Sequence, residues 1–232
     1  MMGRPAWSCA LAAAIAACTG VRLAVATGSD APLAPPASPL SNCTAPFGDG
    51  ARTYSHCQAL PGRVGNFALY WSADDITATI EMLFAATTVV PGWAGFGFSD
   101  DLSMIGTTAV VGLISDDGSA SAGVYKLGGQ TTTAVVPADD DDASAAAISG
   151  VEADHDGTVL RVAFSYSLQN DGIVSGFGPN GVIWAIGGAA SGTSLSRHIE
   201  RAAAQIEFGL SDADEAQEEL VDSANVGTGP IE

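Results

Sequence analysis

Hydrophobic and polar positions alternate along most of the chain with a period of two, which is the signature of half-buried β-strands. The longest case is "ITATIEMLFAA", Ile76 to Ala86. Ile76, Ala78, Ile80, Met82 and Phe84 fall on one face, and Thr77, Thr79 and Glu81 on the other. Further strands are expected at "FALYWS" (Phe67–Ser72), "GWAGFGF" (Gly92–Phe98), "TTAVVGLIS" (Thr107–Ser115), "SAGVYKL" (Ser121–Leu127) and "TTTAVV" (Thr131–Val136). They continue at "ISGVEAD" (Ile148–Asp154), "TVLRVAFSYSL" (Thr158–Leu168), "GVIWAIGG" (Gly181–Gly188) and "RAAAQIEFGL" (Arg201–Leu210). "DDG" at Asp116–Gly118 and "HDG" at His155–Gly157 suit hairpin turns. Short strands at regular spacing with turn residues between them predict an all-β, antiparallel β-sandwich.

The ends have a different texture. "MMGRPAWSCALAAAIAACTGVRLAVA" joins an early arginine to an Ala-rich apolar run and ends in the small-x-small site Ala24-Val25-Ala26. Residues 1–26 are therefore expected to be a signal peptide, and the chain to be secreted. Lipidation at Cys18, within "IAAC", is the competing parse. Residues 27–42, rich in Pro, Ser and Ala, read as a disordered linker. Residues 43–210 read as the β-sandwich and 211–232 as an acidic tail. No span of the mature chain is apolar for long enough to cross a membrane.

Composition excludes some partners. The 232 residues hold 8 Lys and Arg against 26 Asp and Glu, a net charge of −18, and cleavage after Ala26 would remove two more arginines. With no basic patch to neutralise phosphates, nucleic acid is not an expected partner. The run Asp139–Asp142 lacks the ligand spacing of a calcium loop and reads as solvated. Cys43 and Cys57 are an even pair beyond the leader and would bond in an oxidising compartment. "NCT" makes Asn42 a candidate glycosylation site.

The usual catalytic signatures are absent from the sequence: no Cys-x-x-Cys, no G-x-S-x-G, no phosphate loop, no dinucleotide fingerprint. What stands out is scarcity. Beyond residue 26 there are three histidines and two methionines. His56 adjoins Cys57 and is expected at a surface turn, His155 falls in a hairpin turn and is expected to be exposed, and Met82 belongs to an apolar strand face. Met104, in "DDLSMIGT", and His198, in "SLSRHIERAAAQ", remain, each between expected strands. Either could be an ordinary inward-packing residue. Together, a thioether and an imidazole are able to close the axial positions of a haem iron. Trp93, Phe96, Phe98, Trp184 and Leu195 are near enough in sequence to supply apolar walls, and Arg197 and Arg201 flank His198 where they could pair with propionates.

The order of these segments, "FALYWS", "GWAGFGFS", "MIGTTAVVGLI", "GVIWAIG" and "SLSRHIERAAAQIEF", resembles the DOMON domain over Cys43 to Leu210. The resemblance implies an immunoglobulin-like β-sandwich. In the haem-binding members a methionine before a Gly-Thr strand start and a histidine before the last strand are the axial ligands. Met104 before Ile105-Gly106-Thr107, and His198, match those positions. Many relatives have glycine after the histidine, where this chain has Ile199. The expected function is a secreted b-type cytochrome domain that transfers single electrons and is not itself an enzyme. Its partner would be a redox protein or a small-molecule reductant. The alternative is a haem-free DOMON module that recognises a sugar or another small ligand, with Trp71, Trp93 or Trp184 as a stacking surface.

Overall fold

The computed structural model describes residues 38–88, 90–139, 141–169, 174, 178–189 and 195–209. The expected signal peptide, most of the linker and the acidic tail lie outside them. The described residues form two antiparallel sheets of six strands each, a β-sandwich. The first has the order β1-β2-β3-β4-β10-β9, with β1 Leu40–Phe47, β2 Gly50–Leu60, β3 Phe67–Asp74, β4 Thr79–Thr87, β9 Ile148–His155 and β10 Val159–Ser167. The second has the order β12-β11-β5-β6-β7-β8, with β5 Gly92–Phe98, β6 Thr108–Ile114, β7 Ala120–Leu127, β8 Val135–Pro137, β11 Pro179–Gly187 and β12 His198–Glu207. A single-turn helix, α1, spans Ala143–Ala146 and is capped by the Asp142 carboxylate, which also pairs with Lys126 at 2.5 Å.

The main core lies between the sheets. Trp71, Phe84 and Phe164 from the first meet Phe96, Trp184 and Ile206 from the second, and the five rings among them are nearly inaccessible. Each such side chain contributes roughly 1.5–3 kcal/mol through burial. β5 is buried along its whole length. A strand covered on both faces must have something packed on its outward side as well, and that side carries the candidate site.

Three expectations are corrected. Residues 40–42 belong to β1 rather than to a linker: Leu40 pairs with Cys57 and Ser41 with His56, and the Cys43–Cys57 disulfide fastens the hairpin. The run from Ile76 does not enter its strand until Thr79. The Asp74 carboxylate accepts the amides of Ile76 and Thr77 and holds a turn, which leaves Ile76 95% exposed. Over Thr131–Val136, a 3₁₀ turn at Thr132–Ala134 takes half of the segment, and β8 is only three residues long.

The β1–β2 hairpin does more than extend the sheet. Ala45 and Tyr54 pack on Leu83, with Phe47, Tyr70 and Ala85 around them, so the hairpin folds onto the first sheet. At its tip Arg52 lies over the Phe47 ring and pairs with Glu152 of β9 at 2.5 Å.

Candidate functional site

Strand register defines the floor of the site. Paired residues on adjacent strands point to the same face. One row across β12, β11, β5 and β6 reads Arg201, Ala185, Gly95, Val111. The next reads Ala203, Ile183, Gly97, Ala109. A third reads His198, Gly187, Trp93, Leu113. Phe96, Phe98 and Trp184 belong to the opposite face and pack in the main core. The middle of the outward face of the second sheet is thus a patch of glycine, alanine and short aliphatic residues, bordered by Arg201, His198 and Trp93, and smooth enough to let a flat molecule approach the strands.

Above this floor lies a cavity of about 720 Å³, within the range of roughly 300–1,000 Å³ usual for small-molecule and cofactor sites. Its apolar lining belongs to a second cluster, separate from the main core: Trp93, Ala109, Val111, Leu127 and Leu195 are buried there, and Met104 packs against them. The β5–β6 connection contributes Met104, the residues before β12 contribute Arg197, and β12 contributes His198 and Arg201. Gln130, Thr131 and Thr132 supply a polar arc. The two ligand candidates selected from the sequence therefore border one cavity. That cavity covers a sheet face.

A β-bulge aims His198. From Pro179↔Glu207 to Ile186↔Glu200 the β11–β12 register is constant, but Gly187 then pairs with His198 instead of Ile199. The slip of one position puts the imidazole in the same outward row as Trp93. Ile199 is left 54% exposed and does not border the cavity, so its bulk does not crowd the site. Gly187 is required here, because a Cβ at that position would sit 2.0 Å from the Trp93 indole nitrogen. The indole N–H in turn donates toward the Ser196 carbonyl (3.2 Å) and hydroxyl (3.3 Å), tying down the segment that leads to His198. One residue beyond Ile199, the buried Glu200 carboxylate accepts the backbone amides of Arg63, Val64 (2.9 Å) and Gly65 (2.7 Å). Nothing in the periodicity pointed to Glu200.

Met104 is held from its own side. Leu102 has φ 60°, an unfavourable conformation for a bulky residue that costs roughly 1–2 kcal/mol. Hydrogen bonds among Ser99, Asp101, Ser103 and Thr107, with the Asp101 carboxylate as acceptor, close the loop around it.

The electrostatics favour a neutral imidazole and an anionic guest. Burial lowers the pKa of His198 below its ordinary 6.5, and the Arg201 and Arg197 guanidiniums lower it further. His198 is then an available lone-pair donor at neutral pH. Among the described residues, Arg52, Lys126 and Arg161 are ion-paired, but Arg197 and Arg201 have no carboxylate partner. Two cations at one cavity, neither with a carboxylate partner among the described residues, fit a ligand that brings its own negative charge.

Other sequence candidates are placed differently. Phe96 and Trp184 border the cavity, but their rings are in the main core: Phe96 packs on Phe84 and Phe164, and Trp184 donates to the Pro61 carbonyl. Phe98 is likewise in the core, against Tyr166. Trp71 is 1% exposed and donates to Phe208 O, so it offers no stacking surface. His56 is mid-strand in β2 and stacked on Trp71 rather than at a turn. His155 is half-buried, with Nδ1 3.4 Å from Gly118 O. Among the described residues no group of three or more His, Cys, Asp or Glu could hold a metal ion, and no helix is long and apolar enough to cross a membrane. Cys43 and Cys57 form a disulfide, and Asn42 is exposed.

No family model matches the chain, and no curated protein matches it. Among solved structures the chain is similar to the cytochrome domain of Myriococcum thermophilum cellobiose dehydrogenase, with a TM-score of 0.53 at 11% sequence identity. The likeness covers 76% of this chain and 93% of that one. At that identity it is a likeness of fold, and the fold is a two-sheet antiparallel β-sandwich.

Proposed function

We propose that the chain is a secreted b-type haem-binding domain of the DOMON kind that carries single electrons, with Met104 and His198 as the residues that would hold the iron. The observation that carries this reading is that one cavity gathers the rare thioether, the rare imidazole and two arginines without a carboxylate partner among the described residues. The donor set fits the group. His198 is held neutral, so its lone pair is available for iron. Met104 offers a soft sulfur from a separate connection. Arg197 and Arg201 can each receive a propionate carboxylate in a charge-assisted hydrogen bond. Trp93, Leu127 and Leu195 keep water from the apolar face.

Bound haem b supplies a one-electron iron couple, whose potential a thioether ligand raises. Met104 and His198 would both hold the iron, and the haem would then supply one-electron carriage to or from a redox protein or small reductant. The disulfide and the exposed Asn42 are consistent with an oxidising, extracellular setting.

The test is hemin titration of the purified protein. A saturable Soret band that shifts on reduction, and is altered in both Met104→Ala and His198→Ala, is the expected result. A protein that takes up no hemin overturns the reading. A second reading, a haem-free module for a sugar or another small anionic ligand, draws on the polar arc of Gln130, Thr131 and Thr132. Calorimetric titration with such ligands alone would then give heats that Arg201→Ala abolishes.

A further inference from the structure

The connection that carries Met104 is organised around one buried hydroxyl. Ser99 is 4% exposed. Its Oγ lies 2.8 Å from Ser103 O and 3.1 Å from Asp101 Oδ1, the two acceptors its single proton can serve, and it accepts the Ser103 amide at 3.0 Å. Asp101 Oδ1 accepts that same amide at 2.8 Å. The far side of the loop returns to the same point, because the Thr107 hydroxyl donates to Ser103 O at 2.9 Å. Ser99 is itself fixed to the sheet, since its amide donates to Gly181 O at 2.9 Å. A Cβ at Gly181 would lie 2.0 Å from Ser99 O, so the two backbones are in close contact. Leu102, at the apex, keeps a left-handed conformation that few bulky residues adopt. Such a conformation persists where the surrounding bonds over-determine it, and it clusters at ligand clamps.

We propose that Ser99 is a positioning residue for Met104: its hydroxyl closes the Ser99–Thr107 loop so that the thioether is presented to the cavity before any ligand arrives. This rests on the haem reading above. Met104 follows directly on Ser103, the residue both hydroxyls hold, and its own carbonyl accepts the Thr107 amide at 3.3 Å. An unbranched thioether has three rotatable bonds. Fixing its backbone from both sides therefore limits the orientations the sulfur samples. Outer groups that orient a metal ligand commonly contribute a factor of about 10–100 in metal affinity.

The test compares wild type, Ser99→Ala, the near-isosteric Thr107→Val and Met104→Ala in the full chain. Three quantities are read: hemin affinity, the charge-transfer band of a thioether–iron bond, and hydrogen exchange at the Ser103 and Thr107 amides without hemin. Ser99→Ala and Thr107→Val are expected to bind hemin roughly 10–100-fold more weakly. They should also lose the thioether band toward the Met104→Ala spectrum and exchange faster at both amides, while thermal unfolding of the sandwich stays cooperative. If Ser99→Ala does not fold, Thr107→Val decides alone. Variants that keep wild-type affinity and the thioether band overturn the inference and leave the haem reading standing. A wild-type protein that binds no hemin overturns both.

Discussion

His198 pairs with Gly187, one position out of step with the rest of β12, and shares a sheet face with Trp93 as a result. The imidazole reaches the cavity only because of this slip. With an unbroken register Ile199 would stand opposite Gly187, and His198 would point to the other side of the sheet.

The depressed pKa of His198 gives a pH dependence with a definite sign. Between the ordinary 6.5 and its lower folded value, the unfolded state binds more protons than the folded one. This group's contribution to stability therefore falls as pH drops below 6.5 and is constant above it. Hemin affinity should persist below pH 6.5 and decline only where the folded imidazole protonates. In Arg201→Ala the decline should move to higher pH. Hemin titrations from pH 4.5 to 8 would show both effects, and an unshifted profile in the variant would refute the electrostatic cause.

The cavity arginines should matter for charge rather than shape. Replacing Arg197 or Arg201 with alanine removes one charge-assisted hydrogen bond, about 1.5–3 kcal/mol, and should weaken hemin binding roughly 10–100-fold. Hemin dimethyl ester, whose propionates are masked, should bind wild type and variants equally. Absorbance titrations with the two ligands make the comparison.

Gly95 keeps the floor of the cavity low. A Cβ there would meet Val111 Cγ2 at 3.3 Å, a contact that a small shift can absorb at a cost of about 1–3 kcal/mol. Gly95→Val should retain the β-sheet circular dichroism while its hemin affinity collapses. Undiminished affinity would mean that the ligand does not lie over β5.

Reduction of Cys43–Cys57, or the double serine variant, should lower stability by about 3 kcal/mol for a closure of this length. The loss should come first from the β1–β2 hairpin, and hemin binding to the folded protein should be unchanged. Denaturant melts with and without reductant, followed by both Soret and tryptophan signals, would separate the two effects.

Glu200→Ala strands the amides of Arg63, Val64 and Gly65, which the carboxylate now satisfies. A stability loss of about 2–4 kcal/mol is expected, measurable by urea unfolding.

Much of this architecture was legible in the residue pattern. "GWAGFGF" matches β5 at both ends, and β6, β7, β10 and β11 fall within two residues of their expected limits. The β1–β2 hairpin was not legible, because Asn42, Pro46, Gly48 and Gly50 read as punctuation and its apolar residues are too sparse to mark a strand. Trp93 and Phe96 illustrate a different gap. Alternation separates their faces but does not say which face is covered by the other sheet and which by loops. Met104 and His198 could be chosen for their rarity, and the structure brings them to one cavity. The role of Glu200 depends on backbone partners as far as 137 positions away along the chain, which no local window contains, and that of Ser99 on a burial its neighbours in sequence do not reveal.

The cavity draws on its own apolar cluster and leaves the aromatic packing between the sheets untouched. The packing that holds the sheets together and the lining of the cavity are therefore separable properties of this molecule. Substitutions that reshape the lining need not endanger the scaffold, so one sandwich can change what it admits without being rebuilt.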